Sequence, residues 1–376
     1  MSLLKQARRP KRQAGTVLVM AILIVAIITG IAVSFTGGFQ LSLARAEQRF
    51  YTGQLKHYWL SMENFVLWGL KEDAKQDQED HGGLNDHLKE LWSTLEIAAP
   101  FEAGQAVGQL EDAQSRFNLN QLRGRANPYN ANGSFAERFT ETQQRFVRLL
   151  QTYPDAIIDT AEAEQITEAL MDWVDADSDE IGLGGAENNY YASLEPAYRA
   201  ANQPFASVSE LRLVKGVSKE LYEYLLPLVV ALPDENAGLN VNTAKLALLR
   251  SVGNAKTNTP LEEDDGKRLQ ELVPAAPPEA SDNNEDNVEP AVNADIEDGF
   301  EDVQEFLESD AIESIFGIEA EELPMTAQLT TFSRYFILST EIEIGGIKRR
   351  AYSLLKRGAS PSEPSLVIRR GTTSAL

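Results

Sequence analysis

The chain has 376 residues, 43% of them hydrophobic, and a formal net charge of −23, so it is long enough to bury more than one core yet is strongly acidic. Residues 1–15 carry Lys5, Arg8, Arg9, Lys11 and Arg12 with no acid, and the acidic remainder would be repelled by phosphates, which disfavours a nucleic-acid partner. No cysteine is present, which excludes thiol catalysis, thiolate metal sites and disulfides.

From Thr16 to Phe35 the sequence TVLVMAILIVAIITGIAVSF is uncharged, and no charge follows until Arg45. About 20 helical residues span a hydrocarbon core of roughly 30 Å, and the basic cluster ahead of the run is expected to stay cytoplasmic. The topology expected is a single pass with the N-terminus in the cytoplasm and the soluble part outside. Ala44-Arg45-Ala46 would suit a signal peptidase, but a signal peptide normally has an apolar region of only about 7–15 residues. A plain single-span anchor is a further alternative.

The apolar pattern continues as an amphipathic stripe, Tyr51, Leu55, Tyr58, Met62 and Phe65, at alternating steps of four and three, and no proline lies between Thr16 and Pro100. One helix from about Thr16 to about Lys75 is predicted, with a break at Gly37-Gly38 as the alternative. Phe117 and Leu119 alternate with Asn118 and Asn120, predicting a short strand within 105–122. Arg334–Ile344 and Ile347–Arg357 flank Gly345-Gly346 and predict a hairpin. Between these ends, FAERFTETQQRFVRLLQ, AEAEQITEALMDWV, SVSELRLV, KELYEYLLPLVV and TAKLALLRSV predict helices, so a helical domain is inserted into a β framework. Residues 255–300 are rich in Asp, Glu, Asn, Pro and Ala and predict a mobile acidic loop.

Catalytic constellations are poor. The histidines are His57, His81 and His87, and neither a G-x-S-x-G nor a P-loop string occurs, so no enzyme activity is expected. Val214-Lys215-Gly216-Val217 resembles a helix-hairpin-helix turn, but Glu210, Glu220 and Glu223 offset Arg212, Lys215 and Lys219, and a structural turn explains Gly216. Asn240-Val241-Asn242-Thr243 is expected to be an ordered turn capping the next helix. In DADSDEIGLGGAENN, Asp175 to Asn189, oxygen-bearing side chains cluster in a glycine-rich stretch after a helix, as calcium requires. Asp175, Asp177 and Asp179 open like an EF-hand, yet Glu180 replaces its glycine and Ala186 its closing acid, so the stretch is not an EF-hand. A solvated acidic loop without metal is the alternative.

A basic leader ending at Gly15 before a long apolar helix resembles a prepilin leader. Together with Asp112-Ala113-Gln114-Ser115-Arg116-Phe117-Asn118-Leu119-Asn120, Asp172-Trp173-Val174-Asp175-Ala176-Asp177, Gly185-Ala186-Glu187-Asn188-Asn189-Tyr190-Tyr191 and Leu239-Asn240-Val241-Asn242-Thr243-Ala244, it resembles the K-class minor pseudopilins of type II secretion (general secretion pathway protein K). That resemblance implies an α+β fold: a pilin-like long N-terminal helix packed on a small antiparallel sheet, with a large inserted all-α domain. The corresponding parts are a leader at 1–15, a transmembrane segment at 16–36, pilin-like pieces at 37–125 and 321–376, and the insert at 126–320. It implies prepilin-peptidase cleavage between Gly15 and Thr16, and leaves open whether Thr16 is then methylated. It also implies assembly with the I-class and J-class minor pseudopilins at the pseudopilus tip, for export of folded proteins from the periplasm. Position five after the cut, where pilin-like subunits usually carry Glu, is Met20, which fits a subunit that initiates or caps the fibre. Calcium binding by the helical domain, also implied, carries over to Asp175, Asp177, Glu187 and Asn188, with Asp179 and Asn189 as further ligands. The alternative function is a single-span inner-membrane protein with a periplasmic adaptor domain.

Overall fold

The computed structural model describes residues 14–94, 96–101, 104–126, 130, 132–154, 158–273, 299–317 and 323–372. Residues 1–13 of the leader and 274–298 of the acidic stretch lie outside the described residues. The chain divides into two compact units, the first ending at His57 and the second beginning at Tyr58.

The first unit belongs to one helix, Ala14–Asp80, which Gly37-Gly38 do not break. Each glycine costs about 1 kcal/mol relative to alanine, too little to stop a run without proline. Its apolar side chains face outward: Ile24, the least exposed of the large ones between Val17 and Phe35, is still 53% exposed. With a mean hydropathy of 2.9 over its most apolar window and none of that window buried, this helix is long and apolar enough to cross a membrane.

In the second unit the helix continues from Tyr58 and buries Met62, Val66, Leu70 and Ala74, while Phe65 of the predicted stripe stays half exposed. Its partner is a five-stranded antiparallel sheet in the order Ile97–Phe101, Gly104–Asp112, Tyr335–Ile344, Ile347–Lys356, Leu366–Gly371. Polar anchors fix the helix to it. Trp59 Nε1 donates to Ser353 Oγ at 2.8 Å, and the buried Glu63 accepts from Ser353 Oγ at 2.6 Å and from both Nε and Nη2 of Arg370. The predicted hairpin is present in the expected register, with Ile344 opposite Ile347. Gly345 (φ 55) and Gly346 (φ 77) supply the two positive φ values that a two-residue turn of this hand needs.

Everything between Asp112 and Tyr335 is an excursion between two neighbouring central strands, and it holds the larger core, with Phe117, Phe146, Leu170, Trp173, Leu248 and Phe306 in one cluster. The fold class is therefore the α+β arrangement expected. Local details differ. The short strand predicted on Phe117 to Asn120 is confined to Phe117–Asn118, and the sheet strand before it, Gly104–Asp112, ends where the Asp112 side chain accepts the Gln114 N–H at 2.7 Å; Asn118 likewise accepts from the Asn120 N–H at 3.2 Å. Such side-chain bonds to the backbone two residues on compete with the strand ladder and produce the 3-10 turns Ala113–Ser115 and Leu119–Leu122. KELYEYLLPLVV stops being helical at Leu225, ahead of Pro227, and Val229-Val230 pairs instead with Phe117-Asn118. The acidic stretch is not wholly a loop: Glu263–Glu271 is a helix with three acids in its first turn, a Lys267–Glu263 pair at 2.7 Å, and Leu269 buried. Asn240 to Thr243 is not a cap either, since the next helix starts after Lys245. Its side chains are buried tethers: Asn240 Nδ2 reaches the Asp86 carbonyl at 3.1 Å, and Asn242 both accepts from the Phe300 N–H (2.9 Å) and donates to the Phe300 carbonyl (3.0 Å).

Candidate metal centre

The helix Thr160–Val174 organises the centre, starting at Asp159, which accepts the Glu162 N–H at 2.9 Å. Near its end Glu168 and Asp172, one turn apart on one face, both point into the following loop. Glu168 Oε2 accepts the N–H groups of Leu183 (3.0 Å) and Gly184 (2.7 Å). Asp172, fully buried, accepts those of Ile181 (3.1 Å) and Ala186 (2.7 Å). From the turn that resembled a helix-hairpin-helix, Lys215 Nζ donates to the carbonyls of Gly184 (3.0 Å) and Gly185 (3.1 Å). The glycines permit this closeness: a Cβ on Gly185 would lie 2.4 Å from Asp172 Oδ2, and Gly182 has φ +60.

The loop held in this way brings together Asp175, which ends the helix, Asp177, and Glu187, which begins the short helix Asn188–Ala192. One carboxylate oxygen from each lies within 4.8 Å of the other two. Oxygens bound to one calcium at about 2.3–2.6 Å lie at most roughly 5 Å apart, so a single ion fits between them. Both oxygens of Asp175, and Oε1 of Glu187, are buried without a hydrogen-bond partner. Arg125 is the nearby counter-charge, 3.3 Å from Asp177 and 3.7 Å from Asp175. Burial pushes the Asp175 and Glu187 carboxyls above their usual range, and the charge of Asp177 pushes both further. Burial also raises Asp172, to about 7, against the lowering effect of its bonds from Ile181 and Ala186. An oxygen-only, anionic donor set of three carboxylates faced by one guanidinium fits a hard divalent cation such as calcium and offers a softer one nothing.

Of the other residues proposed as ligands, Asp179 is exposed and its N–H donates to Asp177 Oδ1 at 2.9 Å. Asn188 Oδ1 accepts the Ala200 N–H at 3.2 Å, and Asn189 is exposed on the first turn of its helix. Sequence reasoning missed Asn202. Its Nδ2 donates to the Asp177 carbonyl, its Oδ1 is buried without a partner, and its φ of 45 is unusual for a residue other than glycine. It also missed the holding role of Glu168 and Asp172, although two acids four apart on a core-facing helix side are a readable signal. At the far end of the chain, Gly15, Thr16 and Met20 lie exposed in the first turns of the long helix, and a Cβ on Gly15 would meet nothing within 4 Å, so packing does not demand a glycine there.

Residues 115–234 match the family model described as type II secretion system (T2SS), protein K. Type II secretion system protein K of Aeromonas hydrophila is 34% identical over 235 residues, covering 62% of this chain and 68% of the relative. The Pseudomonas aeruginosa protein of the same name is 35% identical over 247 residues, covering 64% and 68%. The crystal structure of the GspK-GspI-GspJ complex from the enterotoxigenic Escherichia coli type 2 secretion system holds a chain that matches with a TM-score of 0.66 and 26% identity, covering 88% of this chain and 99% of that one. The chain thus belongs to the type II secretion system protein K family and has the role of a minor pseudopilin, a structural component of secretion.

Proposed function

We propose that this minor pseudopilin initiates or caps the tip of the pseudopilus, together with I-class and J-class minor pseudopilins, and so serves export of folded proteins from the periplasm. A prepilin peptidase cuts between Gly15 and Thr16, the segment 16–36 stays in the inner membrane with the basic leader on the cytoplasmic side, and the soluble part faces the periplasm. The observation that carries the tip position is the insert between Asp112 and Tyr335, two strand ends that are neighbours in the central sheet, because a domain of that bulk is hard to repeat along a narrow filament. Met20 supports it: an unpaired carboxylate in lipid is expensive, and a first subunit has no earlier neighbour whose terminal amine could pair with one. The solved complex of the structural neighbour with GspI and GspJ supports the choice of partners. Calcium held by Asp175, Asp177 and Glu187, with Asn202 as a further oxygen donor, closes the loop that follows the central helix. The test is affinity purification of the tagged chain with candidate I-class and J-class subunits, combined with immunogold labelling. Co-purification and label at one end of the fibre are expected; label along the whole shaft contradicts the tip assignment.

A further inference from the structure

A second group of carboxylates lies in the second unit, away from the loop after Val174. Asp73 and Asp77 sit one turn apart near the end of the long helix, Asp86 in the connection that follows, and Glu90 just before the turn Leu91–Thr94. One oxygen from each of Asp73, Asp86 and Glu90 lies within 4.8 Å of the other two, the spacing one calcium-sized ion accommodates. These side chains are fixed in place. Asp73 Oδ2 receives Arg357 Nη1 at 2.6 Å, Asp86 Oδ2 receives the Ser333 N–H at 2.6 Å and Arg357 Nη2, and Glu90 Oε2 receives Trp92 Nε1. The independent sign of a ligand is Asp86 Oδ1. Asp86 is fully buried, its Oδ2 is occupied, and Oδ1 has no hydrogen-bond partner. An ionised oxygen left unpaired away from water is costly enough that native interiors pair it or give it a cation.

Charge counting points the same way. Among the described residues Arg357, itself fully buried, is the guanidinium bonded to this group, and it faces Asp73, Asp77 at 3.8 Å, and Asp86, with Glu90 close to the same carboxylates. His87 lies 3.8 Å from Glu90 through Nε2 and accepts the Lys89 N–H at Nδ1. One positive charge cannot balance four carboxylates, whereas a divalent ion would leave the group near neutrality. An open groove of about 480 Å³ includes Asp73, Leu91 and Trp92 in its wall, so the group borders open space on its Asp73 side. We propose that Asp73, Asp86 and Glu90 form a second site for a hard divalent cation, calcium by its oxygen-only donors, where the long helix meets the strand hairpin and the inserted domain. Its neighbours show what the ion would fix: the Asp86 carbonyl accepts from Asn240 of the insert, and Ser333 joins Asp86 to Asp112 through its N–H and Oγ.

The test uses the detergent-solubilised full chain carrying Asp175→Ala and Glu187→Ala, which silence the loop after Val174 and so separate the two sites. Equilibrium dialysis with calcium should still show one equivalent bound, and adding Glu90→Gln should abolish it. Terbium should luminesce on indole excitation, be displaced by calcium, and go dark in Trp92→Phe, which keeps every carboxylate and still takes up calcium. No calcium bound by the Asp175→Ala, Glu187→Ala chain, or uptake and terbium signal unchanged by Glu90→Gln and Trp92→Phe, overturns the proposal, with protons rather than a metal neutralising the group. Calcium lost from Asp175→Ala, Glu187→Ala alone leaves the loop site standing and the second site refuted.

Discussion

Removing the Asp172 carboxylate tests whether the loop after the central helix is held by it. Asp172→Ala strips the buried backbone N–H groups of Ile181 and Ala186 of their acceptor. An orphaned buried donor costs about 1–3 kcal/mol, so the change should destabilise by about 2–6 kcal/mol. The unit that starts at Tyr58 has roughly 320 residues, and at about 2.1 cal/mol/K per residue its unfolding entropy is about 670 cal/mol/K, which turns that loss into a fall of about 3–9 °C in melting midpoint. The pH dependence is an internal control. Burial raises Asp172 to about 7, against about 3.9 in an unfolded chain, so its proton-linked stability is fully present below the lower value and is lost as pH rises through the upper one. The penalty of Asp172→Ala should therefore shrink between about pH 4 and pH 7. Differential scanning calorimetry across that range measures both effects, and a midpoint within about 1 °C of the parent chain at every pH would refute the argument.

Calcium at a hundred times its dissociation constant should stabilise the folded chain by about 2.7 kcal/mol per ion, close to 4 °C, and Asp175→Ala with Glu187→Ala should remove the contribution of the loop. If calorimetry finds no calcium binding at millimolar concentration and no response to chelator, only the solvated acidic loop remains. Arg357→Ala leaves Asp73, Asp77 and Asp86 without their buried counter-charge and should cost about 3–5 kcal/mol in urea unfolding; a loss below about 1 kcal/mol contradicts that role. Asn242→Ala removes both bonds to Phe300, so hydrogen exchange at the Phe300 amide should quicken sharply, and unchanged protection would show the tether is not needed.

Features with a local cause were legible in the sequence. Gly345-Gly346 between alternating residues dictates a hairpin, an uncharged run of bilayer length dictates an apolar helix, and acids at odd spacing after a helix mark the group that gathers Asp175, Asp177 and Glu187. Features that depend on tertiary partners were not. Ile97–Phe101, with its two alanines and Pro100, has weak strand propensity and forms only because an edge strand tolerates proline. The helix Glu263–Glu271 was hidden by averaging over an acidic window, since its order rests on Leu269 reaching the core. Asn202 reaches the Asp177 carbonyl of the candidate metal centre from 25 residues further along the chain, with a φ of 45, which no spacing rule encodes. The buried tethers of Asn240 and Asn242 look like a helix cap until Asp86 and Phe300, far away in sequence, come beside them.

The central claim, a pseudopilin subunit kept in the membrane by its own first helix, is tested most directly by intact-mass and N-terminal analysis of the membrane-extracted chain, alongside a Gly15→Glu variant. The account predicts a mature chain that begins at Thr16 and retains the apolar helix, and an unprocessed leader in the variant. An intact leader on the parent chain, a new terminus after Ala46, or normal processing of Gly15→Glu would contradict it.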